Sequence, residues 1–423
     1  MITLFPHQVE ALKATEGQNH VAYYLDMGLG KTFVGSEKMK ELNTPVNLII
    51  CQKSKINDWV NHMWNHYPHM TIRDLTKKAD FEAFFDICDT RMLVGIINYE
   101  LAWRRKDLLK LENFTLMLDE SSLIQNQKAK QSKFILKMKP ANVILLSGTP
   151  CAGRYENLYS QIKLLGWDIS EAVYNRTYVN WISVNYGGFQ QKIVDKKNPY
   201  KNVDRLKEKL REHGAVFMKT EECFELPEQT FITVDIPTSK EYRRFMKDSI
   251  VIVDGDELVG DTSLVKRLYA RQLCGHYNKE KLQVFKELVE STSDRLIVFY
   301  NFTKELEEML EVVDRPVSIV NGSVKDLTAY ENEDDSITFI QYQAGSMGLN
   351  LQKANKTIYF TLTDKSELFE QSKKRIHRIG QSQPCFYYIL KCKNSVECAV
   401  HDTLEMRKDF TDELFKKYDT GSW

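Results

Sequence analysis

Short unbroken apolar runs punctuate the first 165 residues, at Val21–Leu25, Val46–Cys51, Met92–Ile97, Phe114–Leu118 and Val143–Leu146. Stretches with helical spacing fall between several of them, for example Thr32–Leu42, closed by Asn43-Thr44-Pro45. Apolar runs of about five residues without polar alternation predict strands buried on both faces, and so a parallel sheet covered by helices. The same grammar returns after residue 290. Runs at Leu296–Tyr300, Pro316–Val320, Ile337–Tyr342, Thr357–Thr361 and Phe386–Leu390 alternate with helical stretches at Lys304–Val313 and Leu368–Ile379. The pattern predicts two α/β blocks. Between them, residues 166–290 read as largely helical and polar, with a strongly charged helix at Val203–His213. One strand candidate, Phe231–Ile236, lies there between Pro227 and Pro237. The acidic run Glu331–Asp335 reads as a solvated loop between strands.

Length and composition agree with this division. A chain of 423 residues is two or three domains at roughly 150 residues each. With 43% hydrophobic and 27% charged residues it is not a disordered chain. Lys+Arg and Asp+Glu both total 58, which excludes a globally basic surface, so a polyanion site has to be local. No apolar run reaches the ~20 residues of a membrane span. The N-terminus lacks the basic and apolar regions of a signal peptide. The eight cysteines include no CxxC pair, which argues against zinc ribbons and for reduced thiols.

Four local patterns carry chemistry. DMGLGKT, Asp26 to Thr32, follows a strand and opens a helix, so backbone N–H groups and the positive helix end would surround a phosphate. Lys31 would reach the β- and γ-phosphates and Thr32 would hold magnesium. The first glycine of the general G-x-x-x-x-G-K-[ST] pattern falls at Leu25 instead. Second, the run Phe114–Leu118 ends in Asp119-Glu120, an acidic pair suited to magnesium (Asp119) and to the attacking water (Glu120). Third, Ser147-Gly-Thr-Pro150 follows the run Val143–Leu146. Fourth, in Gln371–Gln381, Arg375 and Arg378 are three apart, hence on one helical face, and could act as arginine fingers.

The order of these elements resembles the helicase motifs of superfamily two, most closely the switch/sucrose-nonfermenting (Snf-like) branch of DNA translocases, over nearly the whole chain. Phe5-Pro-His-Gln8 resembles the adenine-reading Q motif and Asp26–Thr32 motif I. Cys51–Trp59 and Asn98-Tyr99-Glu100 are similar to Ia and Ib, Asp119–Ser122 to motif II, and Leu146–Pro150 to motif III. In the second block Leu296–Phe302, Gln343–Leu351 and Gln371–Gln381 resemble motifs IV, V and VI, the last through its RIHRIGQ ending. Between the blocks, Phe217–Thr220 with Leu226-Pro227, and Arg271–His276, match the family's connecting segments. Motif II ends Ser-Ser rather than Ala-His, which opens the question of how motifs II and III are coupled. The doubled arginine of the interlobe segment is reduced to Lys219, and Asp364–Glu367 lacks the usual Trp-Asn-Pro.

The resemblance implies an α/β fold of two RecA-like parallel-sheet lobes in tandem, with ATP in the interlobe cleft and a mainly helical insertion between them. The expected boundaries are 1–165 for the first lobe, 166–225 for the insertion, and 226–423 for the second lobe with a helical protrusion at about 239–290. The implied activity is a nucleic-acid-stimulated ATPase that translocates on duplex DNA without dependence on sequence. The cofactors are ATP and Mg²⁺. Gln8, Met27, Gly28, Leu29, Gly30, Lys31, Thr32 and Gly348 would bind the nucleotide, and Thr32 and Asp119 the metal. Lys31, Asp119, Glu120, Arg375 and Arg378 would be catalytic. The DNA track would use Lys53, Ser54, Asn98, Tyr99, Asn301, Asn321, Gly322, Gly345 and Ser346. The absence of a long β-hairpin in the second block implies weak strand separation. A bare cytoplasmic motor is expected, monomeric and without membrane contact, of the kind found in bacteria or phage-infected hosts.

Overall fold

In a computed structural model of the chain, the apolar runs become the central strands of two seven-stranded sheets. The structure describes residues 3–85, 92–186, 189–344 and 349–416. Two compact units result. The first holds the residues up to Cys223 and the chain from Asp409 on; the second holds Phe224–Lys408.

The first sheet contains β1 (His20–Leu25), β2 (Val46–Cys51), β3 (Thr71–Asp74), β4 (Leu93–Asn98), β5 (Phe114–Asp119), β6 (Asn142–Leu146) and β9 (Ala215–Met218). Their order is β3-β4-β2-β5-β6-β1-β9 and every pairing is parallel. Interior strands such as β2 are buried along their whole length, because a parallel sheet with helices on both faces leaves no wet side. The one polar residue inside β2, Asn47, donates its amide to Thr44 O and Leu93 O. The half-exposed edge strand β3 can be as polar as Thr-Ile-Arg-Asp. At the opposite edge the segment after residue 166 returns to add β9 beside β1. That approach needs Gly214: its φ is +81°, and a Cβ there would lie 2.3 Å from His20 O.

The insertion before β9 is helical at Glu171–Tyr178 and Val203–Glu212, but it also contains an antiparallel hairpin of β7 (Trp181–Tyr186) and β8 (Phe189–Val194). The helical reading missed this hairpin. Its signal was Gly187-Gly188 between two β-rich runs, a two-residue hairpin spacing. Tyr155, Tyr159, Tyr174 and Tyr178 pack together beneath the insertion, where Tyr174 Oη donates to Tyr155 O at 2.6 Å. The chain from Asp409 on closes this cluster. Phe415 stacks edge-on against Phe217, Tyr155 Oη donates to Phe410 O, and Lys207 and Lys219 pair with Glu413 and Asp412.

The second unit contains β10 (Gln229–Ile236), the hairpin β11 (Ile250–Val253) and β12 (Asp256–Val259), then β13 (Leu296–Tyr300), β14 (Val317–Val320), β15 (Lys325–Asp326), β16 (Ile337–Gln341), β17 (Lys356–Tyr359) and β18 (Cys385–Cys392). Its sheet runs β10-β18-β17-β13-β16-β14-β15, parallel except for the short β15. The isolated strand candidate of the middle segment is thus an edge strand, and its alternating burial fits one covered face. Helices at Lys240–Asp248, Ser263–Cys274 and Lys279–Glu290, together with the β11–β12 hairpin, fill the interval between β10 and β13, so the stretch expected as a helical protrusion also carries a hairpin. Among the described residues no helix is long and apolar enough to cross a membrane.

Candidate nucleotide site at the carboxyl edge of the first sheet

Register decides what meets at this edge. Asp119 on β5 pairs with Leu146 on β6, and Leu146 pairs with Tyr23 on β1. The loops that leave these three strands therefore emerge side by side, at the carboxyl end where open α/β sheets bind ligands.

The loop after β1 turns through two left-handed glycines, Gly28 (φ +86°) and Gly30 (φ +73°). Gly30 caps the helix α2 (Lys31–Leu42) without any side-chain bond to its first amides. A Cβ on Gly30 would sit 2.2 Å from Gln8 Nε2, so the glycine serves packing as well as conformation. Gln8, on the helix α1 (Pro6–Lys13), is buried. Its Oε1 accepts from Phe5 N, and its Nε2 donates to Leu29 O at 3.1 Å. His7 also reaches Leu29 O. Lys31 folds back, its ammonium donating to Leu25 O at 2.9 Å and Asp26 O at 3.3 Å. Leu25, where the general pattern has glycine, is still the last residue of β1 and fully buried, so no left-handed turn is required there. Thr220, just after β9, donates its hydroxyl to Asp26 Oδ2 and Met27 O and so ties the loop to the edge strand. Thr32 and Met27 are half-buried, Gly28 exposed and Leu29 buried.

Asp119 ends β5 and is half-buried. Burial raises its carboxyl pKa; the Trp59 indole N–H, 2.8 Å from Oδ2, and the Lys31 and Lys55 charges pull it back. Trp59 lies on the helix α3 (Ile56–His66), and the sequence reading quoted it only as the end of a motif. Glu120 is held at φ +53°, a left-handed conformation that costs a non-glycine residue ~1–3 kcal/mol. Tyr99 Oη clamps the same peptide region by donating to Asp119 O at 2.8 Å. Gly148, in the loop after β6, has room for a Cβ only at 3.4 Å from Lys31 Nζ.

The candidate track residues divide. Lys53 and Ser54 are exposed on a 3-10 turn, Gly322 is exposed and Asn321 half-buried. Tyr99 and Asn98 correct the expectation, because both side chains are buried and engaged: Tyr99 with motif II, and Asn98 donating to Glu100 Oε2 at 2.7 Å. A side chain consumed by the core is not available to a polymer. Asn301 likewise spends its amide on Thr361 and Leu362 across the ends of β13 and β17. Gly345, Ser346 and Gly348 lie outside the described residues.

Motif VI brings another correction. The helix Ser366–Lys373 stops before both arginines, so Arg375 and Arg378 do not share a helical face. The Arg375 carbonyl accepts from Leu351 N at 3.1 Å, a partner outside the segment, which replaces a helical one. Both guanidinium groups nevertheless converge, each placing Nη1 3.4 Å from Leu349 O. Turn geometry brings them together where helical spacing was expected to.

One further residue, which no motif marks, completes the picture: the buried Gln161 bonds to the loops after β5 and β6 and to β1. Apart from the Gln161–Pro150 bond, 11 positions apart, the side-chain hydrogen bonds of Trp59, Thr220 and Gln161 span 40 to 194 positions in sequence, a separation at which no local pattern operates.

Comparison with known proteins finds two matched regions. Residues 24–289 match the SNF2-related domain, and residues 280–380 match the helicase conserved C-terminal domain. YwqA of Bacillus subtilis (strain 168), named as an ATP-dependent helicase/translocase, is 24% identical over 92% of this chain and 46% of its own. The SWI/SNF-related matrix-associated actin-dependent regulator of chromatin subfamily A member 1 of Mus musculus is 22% identical over 96% of this chain and 42% of its own. A solved SWI2/SNF2 ATPase core of Sulfolobus solfataricus in complex with double-stranded DNA aligns with a TM-score of 0.48 and 19% identity, over 97% of this chain and 92% of that one. The chain thus spans less than half the length of these two curated relatives. With the matched region covering the P-loop, the acidic pair and the insertion, the chain belongs to the SNF2-related domain family.

Proposed function

We propose that the chain is an ATP-dependent DNA translocase, hydrolysing ATP to ADP and phosphate when it binds duplex DNA. The observation that carries this reading is the convergence of Gln8, the Gly28–Lys31 turn, Asp119 and Gly148 at one sheet edge. The residues present fit a magnesium–triphosphate. The residue that caps α2 is a glycine, which has no side chain to bond its first amides, Gly30 stands where a Cβ would meet Gln8, and partial burial makes Asp119 a carboxyl whose ionised form gains from a nearby cation. Thr32 and Asp119 would hold the metal, which when bound supplies charge neutralisation at the β- and γ-phosphates. Lys31 exchanges its two carbonyl partners for phosphate oxygens. Gln8 keeps one N–H and one lone pair beyond its present bonds, enough for a bidentate contact with adenine. Met27, Gly28, Leu29 and Gly30 supply backbone around the phosphates. Glu120 orients and deprotonates the attacking water, and its strained backbone fixes where that carboxylate points. Arg375 and Arg378 act as arginine fingers.

Lys53 and Ser54 in the first unit, and Asn321 and Gly322 in the second, offer polar contacts for the phosphate backbone. Such contacts are independent of sequence. The test is ATP turnover with no polymer, single strands, duplex DNA and RNA. Duplex DNA should stimulate at least as well as single strands. Lys31→Ala should abolish turnover. Glu120→Gln should fall below about a tenth of the parent rate with near-normal ATP binding, since loss of a general base costs roughly 10²–10⁴-fold. Stimulation by RNA alone, or turnover indifferent to polymer, overturns the reading.

A further inference from the structure

Motif II in this chain ends Ser121-Ser122, and a side chain from outside both motifs connects it to motif III. One buried carboxamide lies between the two. Gln161, on the helix Tyr159–Leu164, is fully buried. Its Nε2 donates to Pro150 O, the last residue of the Ser147–Pro150 loop, at 2.6 Å. A carbonyl can only accept, so this bond fixes the orientation of the amide and turns Oε1 to the other side. There Oε1 accepts from the Ser121 hydroxyl at 2.7 Å and from the Tyr24 hydroxyl at 3.0 Å. Ser121 directly follows the strained Glu120, Tyr24 directly precedes the P-loop strand end, and Pro150 lies two residues beyond Gly148, which abuts Lys31.

We infer that Gln161 is a positioning residue for ATP hydrolysis, joining motif II to motif III and holding the Glu120 peptide in register with the phosphate loop. The inference rests on the proposed ATPase reading. Gln161 touches neither nucleotide nor water; it acts through Ser121 and Pro150. A shift of the motif III loop reaches Glu120 through two hydrogen bonds that share one rigid amide plane. No motif pattern marks Gln161, because its partners lie 40 and 11 residues away on separate loops.

The test is steady-state kinetics of the full chain with duplex DNA. Gln161→Leu, of similar volume, removes both arms and should lower kcat by roughly tenfold or more, with KM for ATP changed less than about threefold. Ser121→Ala should lower kcat in the same direction, and the double variant should be no worse than Gln161→Leu alone, because both changes break one chain of contacts. Gln161→Glu adds a readout that a simple brace would not move. The ionised carboxylate still accepts from Ser121 and Tyr24 but faces the Pro150 carbonyl without a donor, and protonation restores one. Its kcat relative to the parent at the same pH should therefore rise as pH falls. A lowered melting temperature with unchanged kcat in all three single variants would assign Gln161 to packing and overturn the inference, as would strictly additive effects of Ser121→Ala and Gln161→Leu. A parent protein without DNA-stimulated turnover overturns the functional reading and this inference together, whereas an active parent with indifferent variants overturns the inference alone.

Discussion

At the scale of single residues, the site depends on groups that set the state of other groups. Asp119 is the clearest case. Its burial disfavours the carboxylate, and the Trp59 indole N–H is the strongest of the contacts that restore it. Trp59→Phe keeps the packing of α3 but removes that donor, so the Asp119 pKa should rise further. The acidic limb of the kcat/KM profile against pH should move to higher pH, with a loss of roughly tenfold at neutrality, the cost of a charge-assisted hydrogen bond. A profile superimposable on that of the parent would show that Asp119 gains nothing from the indole. Lys31, Thr32, Asp119 and Glu120 were legible because a phosphate loop and a strand-end acidic pair are local patterns. Trp59, Thr220 and Gln161 were not, because each is defined by a partner on a distant loop.

At the scale of elements, polar anchors at helix starts fix how strands hand over to loops. Glu305 opens the helix Thr303–Glu311 and is fully buried. Its Oε2 accepts from Asn301 N, Phe302 N and Thr361 Oγ1, while Oε1 has no partner among the described residues and lies where a Cβ on Gly275 would have to go. Burial outweighs those three donors and pushes its pKa up from 4.5 to about 7. The folded state thus holds this proton more tightly than the unfolded chain. The contribution is fully present below pH 4.5 and is lost as pH rises through about 7. Unfolding of the second unit should become easier across that window by an amount of the order of 2–3 kcal/mol, and Glu305→Gln should flatten the dependence. Denaturant midpoints at pH 4.5 and pH 7.5, followed by a probe in the second unit, check this. Equal slopes for parent and variant would remove Glu305 as the source. The elements themselves were mostly visible in the hydrophobic pattern. The exceptions include the β7–β8 and β11–β12 hairpins, hidden in stretches read as helical, and the arginine segment, where the helix that the spacing prolonged stops at Lys373 and the Arg375 carbonyl accepts from Leu351 N instead.

At the scale of the whole molecule, 58 acidic and 58 basic residues leave no net field to gather DNA, so binding must rest on a few local contacts. Duplex stimulation of ATP turnover should fall steeply as salt rises, with a log–log slope counting those contacts at about 0.9 per phosphate. The hairpin of the second unit, β11–β12, has strands of only four residues, short for a wedge between two DNA strands. ATP-driven displacement of a third strand from a triplex should therefore be readily measured, while a tailed duplex should separate poorly. Robust duplex unwinding without triplex displacement would replace translocation by conventional helicase action.

The sequence alone determined the two α/β blocks, the phosphate loop, the acidic pair and the family resemblance, since each is written in neighbouring residues and in the period of apolar positions. The tertiary structure decided the rest. It recruited β9 from beyond the insertion to the edge beside β1, returned the chain from Asp409 on to the first unit, and turned Tyr99 from an expected DNA contact into a clamp on motif II. It also placed one glutamine between the loops of motifs II and III. These are outcomes of strand register and burial. A hydrogen bond between residues 40 or 194 positions apart exists only once the sheet has set both at the same edge, and nothing in the local pattern of either residue encodes it.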